Sequence, residues 1–187
     1  LASEYETNRH FFLGHFFRQN YERGLASLPL INTGVNITRI EVYVTNRNND
    51  TETQRNVTAT MDLGEANAFK QNLPFVGGSG ADVPNDNAAN SLYSNLRATT
   101  RDPDAISGSL EGEGLSRGTD FELLQRARKL EAQEFDFHPQ LGYITLYTPI
   151  RGDEVLAVAY EYTYNGVPYK VGELTEERCL KDFATDI

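Results

Sequence analysis

Val155-Leu156-Ala157-Val158-Ala159-Tyr160-Glu161-Tyr162-Thr163-Tyr164-Asn165-Gly166-Val167-Pro168-Tyr169-Lys170-Val171 is the stretch that most directly dictates local structure. From Val155 to Tyr164 it is dense in β-branched and aromatic residues, and Asn165-Gly166 supplies the two left-handed positions that a type I′ turn requires. Counting outward pairs Tyr164 with Val167, Thr163 with Pro168, Tyr162 with Tyr169, Glu161 with Lys170 and Tyr160 with Val171. That register sets an acid against a base and gathers tyrosines on one face, and such cross-strand pairs contribute about 0.2–1 kcal/mol each. Pro168 falls at a non-hydrogen-bonded pair, where its missing N–H would point away from the partner strand. The returning strand is therefore expected at a sheet edge.

Working backward, Tyr143-Ile144-Thr145-Leu146-Tyr147 reads as a strand returning from a turn at His138-Pro139-Gln140-Leu141-Gly142, with Phe135 and Phe137 alternating before it. A further turn covers Pro149 to Asp153. Ile37 to Val44 alternates with Ile40, Val42 and Val44 inward and Arg39 and Glu41 outward. Val57 to Leu63 alternates again, with Val57, Ala59, Met61 and Leu63 on one face. The polar stretch Asn46 to Gln54 between them suggests a hairpin with a long loop.

Helical signals are fewer. Leu13, Phe16, Phe17, Tyr21 and Leu28 recur at three- and four-residue steps, so Asn8 to about Leu28 reads as an amphipathic helix, with Gly24 as a C-cap and Pro29 as a stop. Thr119-Asp120-Phe121-Glu122 has the form of a capping box, and the good helix formers after it predict a helix from Asp120 to about Leu130. A short helix is expected over Asn90 to Ala98, and Gly-rich loops over Gly77 to Ser91 and Ser107 to Gly118. The expected fold class is α+β, a single soluble domain over residues 1–187: an antiparallel sheet with hairpins and the N-terminal amphipathic helix packed on one face. Strand order does not follow from these signals.

Bulk properties narrow the function. Ten Phe and ten Tyr supply a core without any Trp, so disorder is not the reading for the whole. The net charge of −10, from 27 acidic and 17 basic residues, repels phosphate backbones, and nucleic acid is excluded as a partner. The acidity is read as a solvated surface. Cys179 is the single cysteine, so no internal disulfide can form. No apolar run reaches the roughly 18 residues of a membrane-spanning helix. The start at Leu1-Ala2-Ser3, without an initiator Met, is taken to mark a fragment of a larger protein.

No constellation for catalysis emerges. Nucleophile elbows, phosphate loops, zinc motifs and paired cysteines are all missing. His10 and His15 are five residues apart, poor spacing for a shared helical metal site, and His138 sits before Pro139 in a turn. Asp82 and Asp86 could ligate Ca²⁺, but their spacing is not that of an EF-hand and no Glu closes the loop. Sequons occur at Asn36, Asn49 and Asn56, and Arg151-Gly152-Asp153 spells an adhesion tripeptide in a predicted turn; neither carries weight alone. No catalytic, cofactor-binding or metal residue is assigned, and an enzyme built on scattered carboxylates is the least favoured reading.

Several stretches, in order, resemble the SprA/Sov family, the giant outer-membrane proteins of type IX secretion and gliding motility in Bacteroidota. They are Phe11-Phe12-Leu13-Gly14-His15-Phe16-Phe17-Arg18-Gln19-Asn20-Tyr21-Glu22, Asn36-Ile37-Thr38-Arg39-Ile40-Glu41-Val42-Tyr43-Val44-Thr45-Asn46 and Met61-Asp62-Leu63-Gly64-Glu65. His138 to Ile144 and Asp153 to Tyr162 look similar too. The resemblance covers most of the chain outside the Gly- and Asn-rich loops, and it implies a non-catalytic structural or protein-interaction domain of a translocon. That family forms a very large β-barrel through which folded proteins cross the outer membrane. The implied partners are the parent barrel, other secretion-system proteins and secreted cargo, with this domain periplasmic or extracellular and not itself inserted in the membrane. The alternative is a cell-surface module that binds glycans or peptides through exposed tyrosines.

Overall fold

A computed structural model describes residues 6–47, 54–66, 83–99 and 102–175. Helices and antiparallel sheets are mixed, so the fold is α+β. The final hairpin forms as counted: β7 (Leu156–Tyr164) and β8 (Val167–Val171) pair in the register given above. Asn165 and Gly166 take φ of 50° and 82°, the two left-handed positions of the turn. Tyr162 stacks on Tyr169 with centroids 5.5 Å apart, and Lys170 Nζ lies 3.6 Å from the Glu161 carboxylate.

These strands close one side of a five-stranded sheet ordered β3-β4-β2-β7-β8, so β8 is an edge. Its outer rim is covered rather than bare. Asn87 N–H donates to Lys170 O at 2.8 Å, and the N–H groups of Lys170 and Gly172 donate to the side chains of Asp86 and Asn87. Such cover is how natural sheets blunt an edge against unwanted pairing. Asp86 is committed to this cover; Asp82, its proposed Ca²⁺ co-ligand, lies with the rest of residues 77–82 of that loop outside the described residues.

Strand β2 (Val35–Val44) is central and pairs along β7, with a register shift between Ile37 and Arg39. It does not form the expected hairpin with the next strand. β3 (Gln54–Thr60) pairs instead with β4 (Phe121–Lys129), and β4 meets β2 at only two register positions, Tyr43–Lys129 and Val44–Arg128. Met61, expected on the inner face, lies past the end of β3 and is 56% exposed.

The helix expected over Asp120–Leu130 is this strand β4. Phe121, Leu124 and Ala127 are buried at three-residue steps, which imitates a helix. The spacing arises because β4 is irregular: its register with β3 shifts between Arg55 and Val57, and Arg126 has φ of 54°. One extra residue in a strand reverses the inward–outward parity beyond it. Both Leu124 and Ala127 consequently join Tyr43 and Ala157 in one cluster. The capping-box residues work elsewhere, with Asp120 accepting Ser116 N–H and Glu122 accepting Arg117 Nε.

A second sheet, ordered β1-β6-β5, joins β1 (His10–Phe12), β6 (Tyr143–Leu146) and β5 (Phe135–His138). The first expected helix is thus split: Asn8 sits in a turn with φ of 60°, His10 to Phe12 is extended, and α1 covers only His15–Leu25. Pairing of Phe11 with Ile144 explains the division, since β1 completes the small sheet. The α2 helix (Leu92–Ala98) falls where expected. The first half of the second Gly-rich loop is instead helical, as the end of α3 (Pro103–Gly112). Pro103 in its first turn suits a helix start, and Leu110 packs with Leu92, Leu115 and Phe121.

Phe16 and Phe17 of α1 meet Tyr160 and Tyr162 of β7 together with Val35 and Ile37. Between the two sheets, Val42 packs on Phe135, Ile144 and Leu146. Full burial of side chains of this size contributes about 1.5–3 kcal/mol each. Gly142, at φ of 68°, turns the chain directly against the Phe17 ring, where any Cβ would collide.

Candidate functional site

The densest buried polar chemistry lies where α1 begins. Gly14, at the N-cap, has no side chain to satisfy the orphan N–H groups of the first turn. A distant residue does so. The tight turn Asp62-Leu63-Gly64, with Gly64 at φ of 73°, delivers Glu65 so that its Oε1 accepts His15 N–H at 3.0 Å. Asn85 Nδ2 donates to the same oxygen at 2.8 Å and lies 3.3 Å from Tyr160 Oη. Tyr162 donates to the Asn85 carbonyl at 2.7 Å, and Tyr160 donates to Leu13 O at 3.3 Å. Glu65, Asn85, Tyr160 and Tyr162 are all buried, and a Cβ on Gly14 would strike the Asn85 amide.

Burial pushes the Glu65 carboxyl up to about 7, with the Asp62 charge adding to the rise and the His15 and Asn85 donors opposing it. The phenols of Tyr160 and Tyr162 are likewise pushed up, chiefly by burial. They serve as neutral hydrogen-bonding groups that tie α1 and the Asn85 segment to the central strand.

A second carboxylate, Glu41 on β2, is as well buried but differently served. Lys129 Nζ donates to its Oε1 at 2.7 Å. Its Oε2 accepts from Tyr43 Oη at 3.0 Å, Thr175 Oγ1 at 2.8 Å and Thr175 N–H at 3.0 Å, and Arg55 Nη1 stands 3.8 Å away. Burial alone would raise its pKa, but the donors from Lys129, Thr175 and Tyr43 outweigh that and hold it below the usual range. Alternation placed Glu41 outward; the β3–β4 pair supplies the basic residues that bury it there.

A cavity of about 810 Å³ lies among these elements, with Tyr43, Arg55, Val57, Ala157, Tyr93 and Glu65 among its lining residues. Among the described residues that line it there is no His, Ser or Cys. Its Glu154 accepts Arg151 N–H at 2.8 Å and is 3.4 Å from Arg47 Nε. Glu154 thus ties the Arg151 turn to Arg47, and Tyr43 ties the cavity wall to the Glu41 carboxylate.

The residues singled out by sequence are scattered. His10 is exposed on β1, bonded to Thr145 Oγ1 at 3.0 Å and Glu6 at 3.1 Å. His15 opens α1, and His138 Nδ1 accepts two backbone N–H groups of its turn, from Gln140 and Leu141. Among the described residues, no group of three His, Cys, Asp or Glu side chains is placed to hold a metal. Asn36 and Asn56 are exposed on strands, and the Asn56 side chain accepts Arg126 N–H. Arg151 to Asp153 form an exposed turn in which Asp153 pairs with Arg47. Asn49 and Cys179 lie outside the described residues. Sequence reasoning missed Glu65 and Asn85; the available signal was Gly64, a turn glycine set between the acids Asp62 and Glu65. Among the described residues no helix is long and apolar enough to cross a membrane. The chain matches no known family model, and no curated protein matches it.

Proposed function

We propose that this chain is a non-catalytic structural and protein-interaction domain of a giant outer-membrane secretion translocon of the type IX kind. The supporting observation is convergence. The five stretches that resemble the SprA/Sov family, far apart in sequence, interlock in space. Glu65 of the third stretch caps the helix of the first at His15, and Tyr160 of the last donates to Leu13 of the first. The second pairs with the last as β2 and β7, and Ile37 N–H donates to Pro139 O of the fourth. Shared motifs that meet in one interior describe a folding unit rather than a reacting centre.

In this reading α1 covers one face of the five-stranded sheet, and the buried Glu65 carboxyl ties down its first turn. The domain holds or meets other polypeptide on the periplasmic or extracellular side of the membrane. Leu28 and Leu30, 63% and 68% exposed after α1, are the contact candidates for the parent chain or a secretion partner.

The test is made in the organism that carries the parent gene. Gly14→Val, which drives a side chain into Asn85, is expected to abolish export of cargo to the medium. Normal export from a strain lacking residues 6–175 would end the proposal, as would turnover of a small substrate by the purified chain. A protease-cleavable tag between Gly77 and Ser91, probed on intact and on lysed cells, distinguishes the two sides of the membrane.

A further inference from the structure

We propose that the outward face of the small sheet is a binding site for neutral glycans, with an aromatic row that stacks on sugar rings and a polar row that takes their hydroxyls. The register places these residues. Phe12 pairs with Tyr143 and Tyr143 with His138, so these three side chains share one face in one row across β1, β6 and β5. Two residues along each strand, His10 pairs with Thr145 and Thr145 with Asp136, forming a second row on the same face. Alternation turns Phe11 and Ile144 the other way, into the core.

The rings form a contiguous cluster in which Phe12 and Tyr21 meet each other and Tyr143 edge to face, at 77°, 78° and 69°, while His138 lies at 32° to Tyr143. Phe12 lies 6.3 Å from Tyr143, Tyr143 lies 5.6 Å from His138, and Tyr21 of α1 joins at 5.3 Å from Phe12. Phe12 is 40% exposed although it belongs to a sheet, and His10 and Asp136 are exposed beside it. The polar row is preorganised, with His10 bridging Thr145 Oγ1 and the Glu6 carboxylate.

A pyranose has a C–H face that packs on an aromatic ring and an equatorial rim of hydroxyls, and the two rows match those two chemistries side by side. A protein partner fits less well. Interfaces between proteins concentrate apolar residues at their centre and exclude charge from it. Here a His-Thr-Asp row runs beside the rings, and the exposed Leu28, Leu30 and Val167 belong to other elements. Glu6 and Asp136 disfavour anionic ligands, which leaves uncharged saccharides.

The purified chain is titrated with cellohexaose, chitohexaose and maltohexaose by calorimetry and by the fluorescence of its ten tyrosines, which no Trp obscures. At least one hexaose is expected to bind with a dissociation constant below about 1 mM. Tyr143→Ala should weaken that binding about tenfold or more, Thr145→Val about threefold, and Val167→Ala, on the far hairpin, not at all. Should Tyr143→Ala lose native circular dichroism, Phe12→Ala on the exposed edge strand reads the same cluster. Binding of none of the three sugars overturns the proposal, as does undiminished binding to the cluster variants. A decaproline peptide that binds while the sugars do not would assign the face to peptide instead. The inference is independent of the translocon reading, since it concerns the isolated chain and its ligand, not export.

Discussion

Two buried carboxylates in this molecule, Glu41 and Glu65, are 8% and 4% exposed, yet their ionisation moves in opposite directions. Glu41 faces Lys129 and Arg55 as well as two hydroxyls, so its charge is matched inside the fold. Glu65 receives two neutral N–H donors and has Asp62 nearby. Desolvation opposes the charged form at both places, and at Glu41 the hydrogen bonds from Lys129, Thr175 and Tyr43, with the Lys129 charge, reverse the outcome. Depth of burial therefore says little about charge state until the neighbours are known.

Substitution of Glu41 by Ala should have the largest effect, a loss of about 3 kcal/mol in urea unfolding at pH 7. It leaves Lys129 and Arg55 without their counter-charge in a partly buried setting. Because the folded pKa of Glu41 is lowered, its contribution is present above the ordinary carboxylate range and is lost as pH falls through the folded value. Wild type and Glu41→Ala should converge in stability toward low pH; a constant gap would refute the ion-pair account.

Glu65→Gln sharpens the contrast with the opposite sign. A carboxyl raised from 4.5 to about 7 contributes stability that is complete below pH 4.5 and lost as pH rises through 7. Ionising it in place costs about 3 kcal/mol. Glutamine keeps the acceptor for His15 and Asn85 without that cost. The variant should gain about 2 kcal/mol over wild type at pH 8 and nearly nothing at pH 4.5, measured by denaturant midpoint. A variant less stable than wild type at pH 8 would show that Glu65 works as an anion at the helix terminus.

Asn85→Ala removes the donor shared by Glu65 and Tyr160 and should cost about 1–2 kcal/mol at either pH. Lys170→Ala, which breaks the hairpin pair with Glu161, should change stability by no more than about 0.5 kcal/mol, because that pair is partly open to solvent. An effect of Lys170→Ala as large as that of Glu41→Ala would erase the distinction between buried and surface ion pairs drawn here.

Legibility followed the range of the deciding interaction. The β7–β8 register was readable because Asn165-Gly166 fixes it within two residues, and the β5–β6 return around His138–Gly142 was readable for the same reason. Strand β4 was misread as a helix because its irregularity lies in its pairing with β3, which shifts parity and leaves apolar residues at helical spacing. The α3 segment was misread as a loop because Gly108 and Gly112 dominate its composition, while Ile106 and Leu110 find their partners in α2 and Phe121. The Glu65 site was invisible because its members, His15, Glu65, Asn85 and Tyr160, come from four separate parts of the chain.

The sequence by itself determined the final hairpin, the edge position that Pro168 requires, the α+β class and the lack of recognisable catalytic motifs. Each rests on backbone preferences and alternation that act over a few residues. Tertiary structure alone decided which strands are neighbours, which carboxylate is paired with cations, and which aromatic residues face solvent together. Those outcomes depend on the electrostatic and packing surroundings assembled from distant segments, and a linear string of residues does not contain that distance information in readable form.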